Sequence, residues 1–206
     1  MGKVFVDVGM SLDGYIAGPN RGPGNPMGGR SMTIHKWVFA TATFREALGI
    51  PGEGEKGPDD ALVKALFARP GANVMGMRMF EEGEVSWPED APFHAPVFVL
   101  THRPRAPWPR LGGTTFYFVA DGIASALSQA KAASGGKDVR ISGGADTIRQ
   151  YLRAGLVDDL TVHIAPALLG EGLSLLEGMG AGELKLRQGR TLSSPSVAHI
   201  DYVVER

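Results

Sequence analysis

Short runs of β-favouring residues alternate with helical segments through most of the chain, and this alternation limits the possible folds more than any other feature. The helical segments at 60–68, 122–133 and 145–154 each lie between two such runs. Strands that are connected through a helix pair in parallel, because the crossover returns the chain to the same edge of the sheet. The predicted strands of this part lie at 3–8, 72–76, 96–100, 115–119, 137–142 and 159–165.

The C-terminal part of the chain has a different pattern. Two strand-like runs at 183–192 and 197–205 follow each other directly and are joined by Ser193–Ser196, which is typical of an antiparallel hairpin. We therefore predict one α/β domain over 1–206, with about eight strands in a mostly parallel sheet and this hairpin at one side. Stretches rich in glycine and proline at 19–30 and 49–57 predict a long loop insertion at about 19–58, with a short helix at 34–39.

Composition excludes several classes of function. The chain has no cysteine, which excludes disulfides, thiolate metal sites and a cysteine nucleophile. Its 21 basic and 22 acidic residues give no broad positive field, so we predict no nucleic-acid partner. No apolar run reaches the roughly 18 to 20 residues of a membrane span, so we predict a cytoplasmic protein without a membrane partner. The histidines show no metal-ligand spacing, so we predict no metal.

The most informative local feature is a strand that breaks at two glycines and passes directly into a helix. Ser142, Gly143, Gly144, Ala145, Asp146 and Thr147 form this junction. A helix start carries unpaired N–H groups and about half a positive charge, and glycine allows a phosphate to approach closely. The junction therefore suits a pyrophosphate, although a tight turn between strand and helix has the same sequence.

Two further predicted strands end in residues that suit phosphate binding. One ends at Gly76, Met77, Arg78 and Met79, and the other at Leu100, Thr101, His102 and Arg103. An arginine binds a phosphate through two parallel hydrogen bonds. The alternatives are that these arginines are solvated and that the methionines fill the core. Since ligands of open α/β sheets bind beyond the carboxyl ends of the strands, the three ends are expected to form one site.

Six motifs occur along the chain in a characteristic order. They are Met10–Gly18, Gly76–Glu81, Thr101–Arg103, Gly143–Asp146, Gly155–Leu160 and Pro166–Gly172. Together they resemble the dihydrofolate reductase superfamily, and most of all the reductase domain of bifunctional riboflavin-biosynthesis deaminase-reductases and their stand-alone relatives. The sequence departs from that pattern at Met77, where relatives often have arginine, and at Met79, where many have threonine.

The resemblance implies a dihydrofolate reductase-like three-layer fold, with a central eight-stranded, mostly parallel sheet and helices on both faces. It also implies an NADPH-dependent reductase that passes a hydride to a small heterocyclic substrate, pyrimidine or pterin-like, and a homodimer. Carried over to this sequence, the junction at Gly143 and Gly144 surrounds the pyrophosphate. The residues around Gly76 contact the phosphates from the other side, and those around Arg103 contact the 2′-phosphate. Ile16, Ala17 and Gly18 lie beside the nicotinamide.

The acceptor of a hydride also needs a proton. Folate reductases supply a carboxyl group from the first helix after the mobile loop, but Ile34–Thr41 contains no acid here. Asp13, on the loop after the first strand, is our candidate for the catalytic acid. The alternative is that its carboxylate accepts hydrogen bonds from the amides of Gly14 or Tyr15 in a turn.

Trp37 and Phe80 are candidates to stack on a flat substrate, with burial in the core as the alternative for both. A second function class is a non-catalytic nucleotide-binding or regulatory protein of the same fold, which the departures at Met77 and Met79 and the missing acid favour. Phosphoryl transfer is disfavoured, because no stretch has the spacing of a phosphate-binding loop and Gly52–Gly57 is acidic where phosphates would lie.

Overall fold

The computed structural model describes residues 2–30 and 32–205, and its centre is a sheet of nine strands. The strands of the chain are β1 (Val4–Ser11), β2 (Tyr15–Ala17), β3 (Pro70–Gly76), β4 (Pro96–Leu100), β5 (Trp108–Pro109), β6 (Thr115–Val119), β7 (Asp138–Gly143), β8 (Asp159–Ala165), β9 (Leu173–Ser174), β10 (Lys185–Ser193) and β11 (Ala198–Glu205). The helices are α1 (Met32–Ala40), α2 (Ala42–Ala47), α3 (Pro58–Ala68), α4 (Met77–Gly83), α5 (Gly122–Ala133) and α6 (Ala145–Arg153). A 3₁₀ turn spans Leu111–Gly113.

The strand order in the large sheet is β10-β11-β8-β1-β7-β3-β4-β6-β5. The strands from β8 to β6 in this order are parallel, and the hairpin of β10 and β11 adds to β8 in antiparallel pairing. The predicted mostly parallel sheet with an antiparallel C-terminal hairpin is therefore confirmed. The sheet has nine strands instead of eight because β5 pairs with β6 over only two residues, which is too short for an apolar pattern to reveal.

The two faces of β1 show why helices cover both sides of the sheet. Val4, Val6 and Val8 point to one face, where they belong to a buried cluster with residues of α5 and α6. On the opposite face, the guanidinium of Arg69, at the end of α3, lies 3.8 Å from the ring centre of Phe5. Successive side chains of a strand point to opposite faces of the sheet. A strand with buried apolar side chains on both faces therefore needs a helix on each side of the sheet.

The helices begin where the sequence provides starting signals. Pro58 occupies the first turn of α3, and Asp59 and Asp60 follow it, which suits the fixed backbone angle of proline and the positive end of the helix dipole. Within residues 2–30 and 32–205, the longest helix is α5 with 12 residues. None of the helices described is long and apolar enough to cross a membrane.

The range 19–58, which we predicted as a long loop insertion with one short helix, contains two helices, α1 and α2. α1 forms because Ile34 and Trp37, one turn apart, are both buried. α2 begins at once after it, where the Thr41 hydroxyl accepts a hydrogen bond from the amide of Phe44. The loop character is thus confined to the stretches before α1 and between α2 and α3.

Candidate active site

The carboxyl ends of β3, β4, β6 and β7 surround a cavity of about 500 Å³, which we call the first cavity. All three predicted phosphate-binding strand ends reach it. The predicted residues that line it are Gly76, Met77, Arg78, Leu100, Thr101, His102, Arg103, Gly144, Ala145, Asp146 and Thr147. The strand order brings these ends together because β7, β3 and β4 are neighbours in the sheet and run in the same direction.

The backbone at the end of β7 leaves the first turn of α6 open to this cavity. Gly144 precedes the helix, and no side chain among the described residues caps its N-terminus. Gly143 has φ +134°, a conformation that side chains rarely adopt, and its peptide bond to Gly144 is cis. On β3, a Cβ at Gly76 would lie 2.5 Å from the hydroxyl of Thr147, so glycine permits β3 to approach α6 closely.

Four arginines border the first cavity, and the sequence analysis missed two of them, Arg21 and Arg149. The backbone amide of Arg103 donates a hydrogen bond to the Thr101 hydroxyl at 3.0 Å, which holds the turn in place. Its guanidinium, 76% exposed, contacts Glu81 at 2.8 Å. Arg149 lies one turn beyond Ala145 on α6, so the two residues share one face of the helix. This spacing could have identified Arg149 as a cavity residue once the start of the helix was predicted.

A second cavity of about 660 Å³ adjoins the first. Arg21, Gly144 and Leu173 line both cavities, so the two meet at the start of α6. Most of the second cavity is apolar, with side chains from α1, α2 and α3 on one side and aromatic residues after α4 on the other. Its lining includes Ile16, Ala17, His35, Trp37, Phe44, Phe67, Met79, Trp87, Phe93, Ser142 and Gly143.

Charged residues that the sequence analysis did not select lie at the floor of the second cavity. Asp7 on β1 is 7% exposed, and its Oδ2 lies 3.0 Å from Nε2 of His163 on β8. Its Oδ1 lies 3.5 Å from the guanidinium of Arg140 on β7. Burial opposes ionisation of Asp7, but the charges of His163, Arg140 and Arg69 outweigh it and lower the pKa of this carboxyl. Asp7 is therefore a carboxylate at neutral pH.

The buried cluster continues from His163 away from the second cavity. Nδ1 of His163 lies 2.7 Å from Nδ1 of His199 on β11, and Nε2 of His199 lies 3.3 Å from Asp59 on α3. The Trp37 ring packs on both imidazoles, with centroid distances of 5.0 and 4.8 Å. Burial first, and then the charge of His163, lower the pKa of His199. A polar signal existed in the sequence, because Asp7 interrupts the apolar strand Val4–Val8.

Four side-chain nitrogens at the second cavity have no hydrogen-bond partner within residues 2–30 and 32–205. They are Trp37 Nε1, Asn73 Nδ2, Arg140 Nε and His163 Nε2. His163 Nε2 lies 3.0 Å from Asp7 Oδ2, but the two atoms are not aligned as a hydrogen bond. Asn73 is 2% exposed, and its Oδ1 accepts a hydrogen bond from the Ser142 hydroxyl, which orients the amide. Buried donors without acceptors are costly, so this floor suits a ligand that carries acceptor oxygens or nitrogens.

The two aromatic candidates have different positions. Trp37 lines the second cavity, which keeps its predicted contact with substrate open. Phe80 lines neither cavity and is fully buried, so the prediction of substrate stacking is wrong for this residue. Its ring packs against Trp87, Trp108, Phe116 and Phe118 at centroid distances of 5.1 to 6.0 Å. α4 lies on the sheet, and the face that carries Phe80 is turned toward the core.

Asp13, the candidate acid, lines neither cavity. Its carboxylate accepts hydrogen bonds from the amides of Leu169 at 3.1 Å and Gly170 at 2.7 Å, which joins the β1–β2 turn to the loop after β8. These are not the amides of Gly14 or Tyr15 that the turn alternative expected. A hydrogen bond from Ser11, followed by those from the two amides, lowers the pKa of Asp13. This geometry gives no support to a role as proton donor.

Gly18 also lies outside the lining of both cavities. It passes so close to Gly29 that a Cβ on Gly18 would overlap the Gly29 carbonyl oxygen. Its amide donates to Met27 at 2.9 Å. Of the three residues predicted beside the nicotinamide, Ile16 and Ala17 therefore face the second cavity, whereas Gly18 supports the loop behind them.

In the part of the chain that the structure describes, no group of three or more histidine, aspartate or glutamate side chains is arranged to hold a metal ion. His163 at the second cavity contacts His199 and the Asp7 carboxylate, and His199 contacts the Asp59 carboxylate.

Residues 2–199 match the family model described as the RibD C-terminal domain. A curated relative, the uncharacterised protein YyaP of Bacillus subtilis (strain 168), is 36% identical over 78 residues. That match covers 37% of this chain and 41% of YyaP, so it spans less than half of either protein.

Solved structures share the fold at low identity. A protein of Shewanella sp. PV-4 assigned to riboflavin biosynthesis has a TM-score of 0.66 and 22% identity, with 99% of each chain covered. RibD of Acinetobacter baumannii has a TM-score of 0.62 and 14% identity, with all of this chain and 59% of that chain covered. Dihydrofolate reductase of Enterococcus faecalis, in complex with NADP(H) and RAB-propyl, has a TM-score of 0.58 and 13% identity, with 100% of this chain and 98% of that chain covered.

Proposed function

We propose, starting from the fact that the chain belongs to the RibD C-terminal domain family, that it is an NADPH-dependent reductase of a small heterocyclic compound. Membership of this family supports a reductase-like role. The observation that carries the finer proposal is the junction of two unlike cavities at Gly144. One cavity offers backbone amides and arginines, and the other offers apolar walls with a charged floor.

The first cavity fits the phosphate-bearing part of NADPH. The open N-terminus of α6 presents amides and a positive dipole end to a pyrophosphate. Arg103, beside Thr101 and His102, would bind the 2′-phosphate. Its contact with Glu81 is an exposed ion pair, which contributes only about 0 to 1 kcal/mol, so a phosphate can replace the carboxylate at little cost.

The junction of the cavities fits the other end of the cofactor. When bound, NADPH would supply a hydride from its nicotinamide ring. Gly144 borders both cavities, Ile16 and Ala17 line the second, and together they would orient that ring toward the second cavity. The apolar walls there would exclude water and hold the acceptor in place, which is how a protein accelerates a hydride transfer.

The second cavity fits a flat ring that carries polar atoms on one edge. The free donors of Trp37, Asn73 and Arg140 call for acceptor atoms, and the Asp7 carboxylate calls for an N–H group. Pyrimidine-like and pterin-like heterocycles carry both kinds of atom along one edge. This match between the groups of the cavity and the edge of such a ring supports a heterocyclic hydride acceptor. It is independent of the phosphate-binding features, which support only the dinucleotide.

Substitution Arg103→Ala tests the cofactor. We expect NADPH affinity to fall about tenfold or more, because charge-assisted hydrogen bonds to the 2′-phosphate are lost, while NADH affinity stays unchanged. Fluorescence titration with both cofactors measures this. Arg105→Ala is the matched control, because Arg105 contacts Glu84 and lines neither cavity. Equal losses for NADPH and NADH would contradict the assigned role, and absence of saturable NADPH binding by the wild type would overturn the proposed function.

The alternative of a non-catalytic nucleotide-binding protein is distinguished by turnover. NADPH oxidation in the presence of one member of a panel of aminopyrimidines and pterins would exclude it. A homodimer, which rests on the family resemblance alone, and a cytoplasmic location, which rests on the composition of the sequence, complete the proposal. Light scattering of the purified chain tests the first of these.

A further inference from the structure

The contact between His163 and His199 restricts where protons can lie. The two Nδ1 atoms are 2.7 Å apart, so one of them carries a hydrogen and the other accepts it. Both rings are 2% exposed, and the Trp37 ring covers them. Water therefore has little access to the contact, and the hydrogen between the rings is held in place.

Asp59 decides which ring is the donor. A carboxylate only accepts hydrogen bonds, so Nε2 of His199, 3.3 Å from Asp59, carries a hydrogen. Since burial favours the neutral form of His199, its Nδ1 is then the acceptor in the contact with His163. His163 consequently keeps a hydrogen on Nδ1. Any second, removable hydrogen of His163 lies on Nε2, which faces Asp7 at 3.0 Å and the second cavity.

We propose that Asp7 and His163 are the proton-donating pair of the reaction, and that His199 and Asp59 are positioning residues that keep the removable proton on the cavity side. The proposal rests on the proposed function for the identity of the reaction. The hydride adds to one atom of a double bond in the acceptor ring. The removable proton of His163 moves from Nε2 to Oδ2 of Asp7, 3.0 Å away, and Asp7 then passes that proton to the other atom of the bond.

The step leaves oxidised cofactor, the Asp7 carboxylate and a neutral His163. The hydrogen bond between the imidazoles is retained, because His163 loses only its Nε2 proton. A proton from solvent restores the pair when the product leaves the second cavity. One hydride and one proton have then been added to the acceptor.

The other charged groups around the pair suit this cycle. Arg140 on β7 and Arg69 after α3 lower the pKa of Asp7, so they stabilise the carboxylate that remains after transfer. His35 on α1 also faces His163, and burial lowers the pKa of His35 to about 4, so it adds no charge at neutral pH. The proton for the acceptor therefore comes from His163 through Asp7.

Nitrogen-15 NMR of the ligand-free full chain tests the arrangement without any cofactor or substrate. We expect a hydrogen on Nε2 of His199, a hydrogen on Nδ1 of His163 and none on Nδ1 of His199. A hydrogen on Nδ1 of His199, or its absence from Nδ1 of His163, would overturn the proposal.

Two neighbouring carboxylates on α3 supply a matched comparison. In Asp59→Ala the acceptor of His199 is removed, so the His199 signals should shift toward a mixture of both neutral forms. In the control Asp60→Ala they should not change, because Asp60 accepts a hydrogen bond from the amide of Thr43 instead. Unchanged imidazole signals in Asp59→Ala would refute the positioning role of Asp59.

Turnover provides a second readout with the heterocycle panel. His163→Gln should lower kcat at least tenfold and remove the decline of kcat at high pH, while the Kd of NADPH stays within about threefold of wild type. A loss of kcat that leaves the pH profile unchanged would contradict proton donation by this pair. Failure of the wild type to bind NADPH would refute the proposed function, whereas normal NADPH binding with the wrong imidazole pattern would refute this inference alone.

Discussion

The two cavities of the molecule differ in the exposure of some of their charged pairs, although Arg21 and Arg149, which also border the first cavity, are only 11% and 12% exposed. At the first cavity, Arg78 and Arg103 are about three-quarters exposed and are paired with carboxylates of α4. At the second cavity, Asp7 lies below apolar walls and contacts both Arg140 and His163. Exposed ion pairs exchange partners at a cost of about 0 to 1 kcal/mol, whereas breaking a buried pair costs about 3 to 5 kcal/mol.

This difference separates the tasks that the cavities can perform. Exposed arginines can release a carboxylate and take up a phosphate, so the first cavity suits reversible binding. Buried charges are fixed in place by the strands that carry them, so the second cavity suits a reaction that needs one geometry. Substitutions at one cavity should therefore affect properties that substitutions at the other leave intact.

The largest expected effect concerns the packing behind the second cavity. Phe80→Ala should lower the free energy of unfolding by about 3 to 5 kcal/mol, because a fully buried ring leaves a void among four aromatic neighbours. Urea unfolding followed by fluorescence measures this. The folded variant should still bind NADPH within about threefold of wild type. A loss below about 1 kcal/mol together with specific loss of substrate binding would restore the stacking role.

The next largest effect is a pH dependence of the free energy of unfolding, which should depend on His35 at the second cavity and not on His102 at the first. Burial lowers the pKa of His35 to about 4, against an ordinary value of 6.5, so the folded state favours its neutral form. Stability is then complete above pH 6.5 and falls as the pH drops toward 4, by up to roughly 3 kcal/mol, because the unfolded chain takes up the proton first.

His35→Gln should therefore reduce the difference in unfolding free energy between pH 7 and pH 4.5. The matched control is His102→Gln, since His102 is exposed at the first cavity and should leave the difference unchanged. Urea unfolding at both pH values gives the comparison. The same pH dependence in wild type and His35→Gln would show that His35 is not buried in the neutral form.

The smallest effect on turnover is expected at Asp13, which belongs to neither cavity. Asp13→Asn should weaken the connection between the β1–β2 turn and the loop after β8, and so lower the melting temperature. We expect kcat to change less than about tenfold, because the carboxylate is engaged with two backbone amides. Steady-state NADPH oxidation measures kcat, and its collapse in this variant would make Asp13 the acid after all.

The first cavity could be predicted from the sequence because its residues occur in short contiguous motifs. Gly76, Thr101 and Gly144 each follow a recognisable strand, and parallel strands bring their carboxyl ends to one edge of a sheet. The mostly parallel sheet and its hairpin followed from the same alternation of strands and helices.

The second cavity could not be predicted in this way, because its charges come from positions far apart in the chain. Asp7 and His163 meet only because β8 lies beside β1, and strand order is not visible in the periodicity of a sequence. Phe80 was misjudged for a related reason. Helical spacing shows that α4 has an apolar face, but not whether that face meets a ligand or the core.

The position of His199 on β11, near the end of the chain, has a consequence for biosynthesis. The strands that form the first cavity, from β3 to β7, leave the ribosome before this histidine does, but a domain generally folds as a unit. A nascent polypeptide without β11 lacks both His199 and the strand that pairs with β8. Folding of the sheet and completion of the buried cluster should therefore both wait for synthesis of the hairpin.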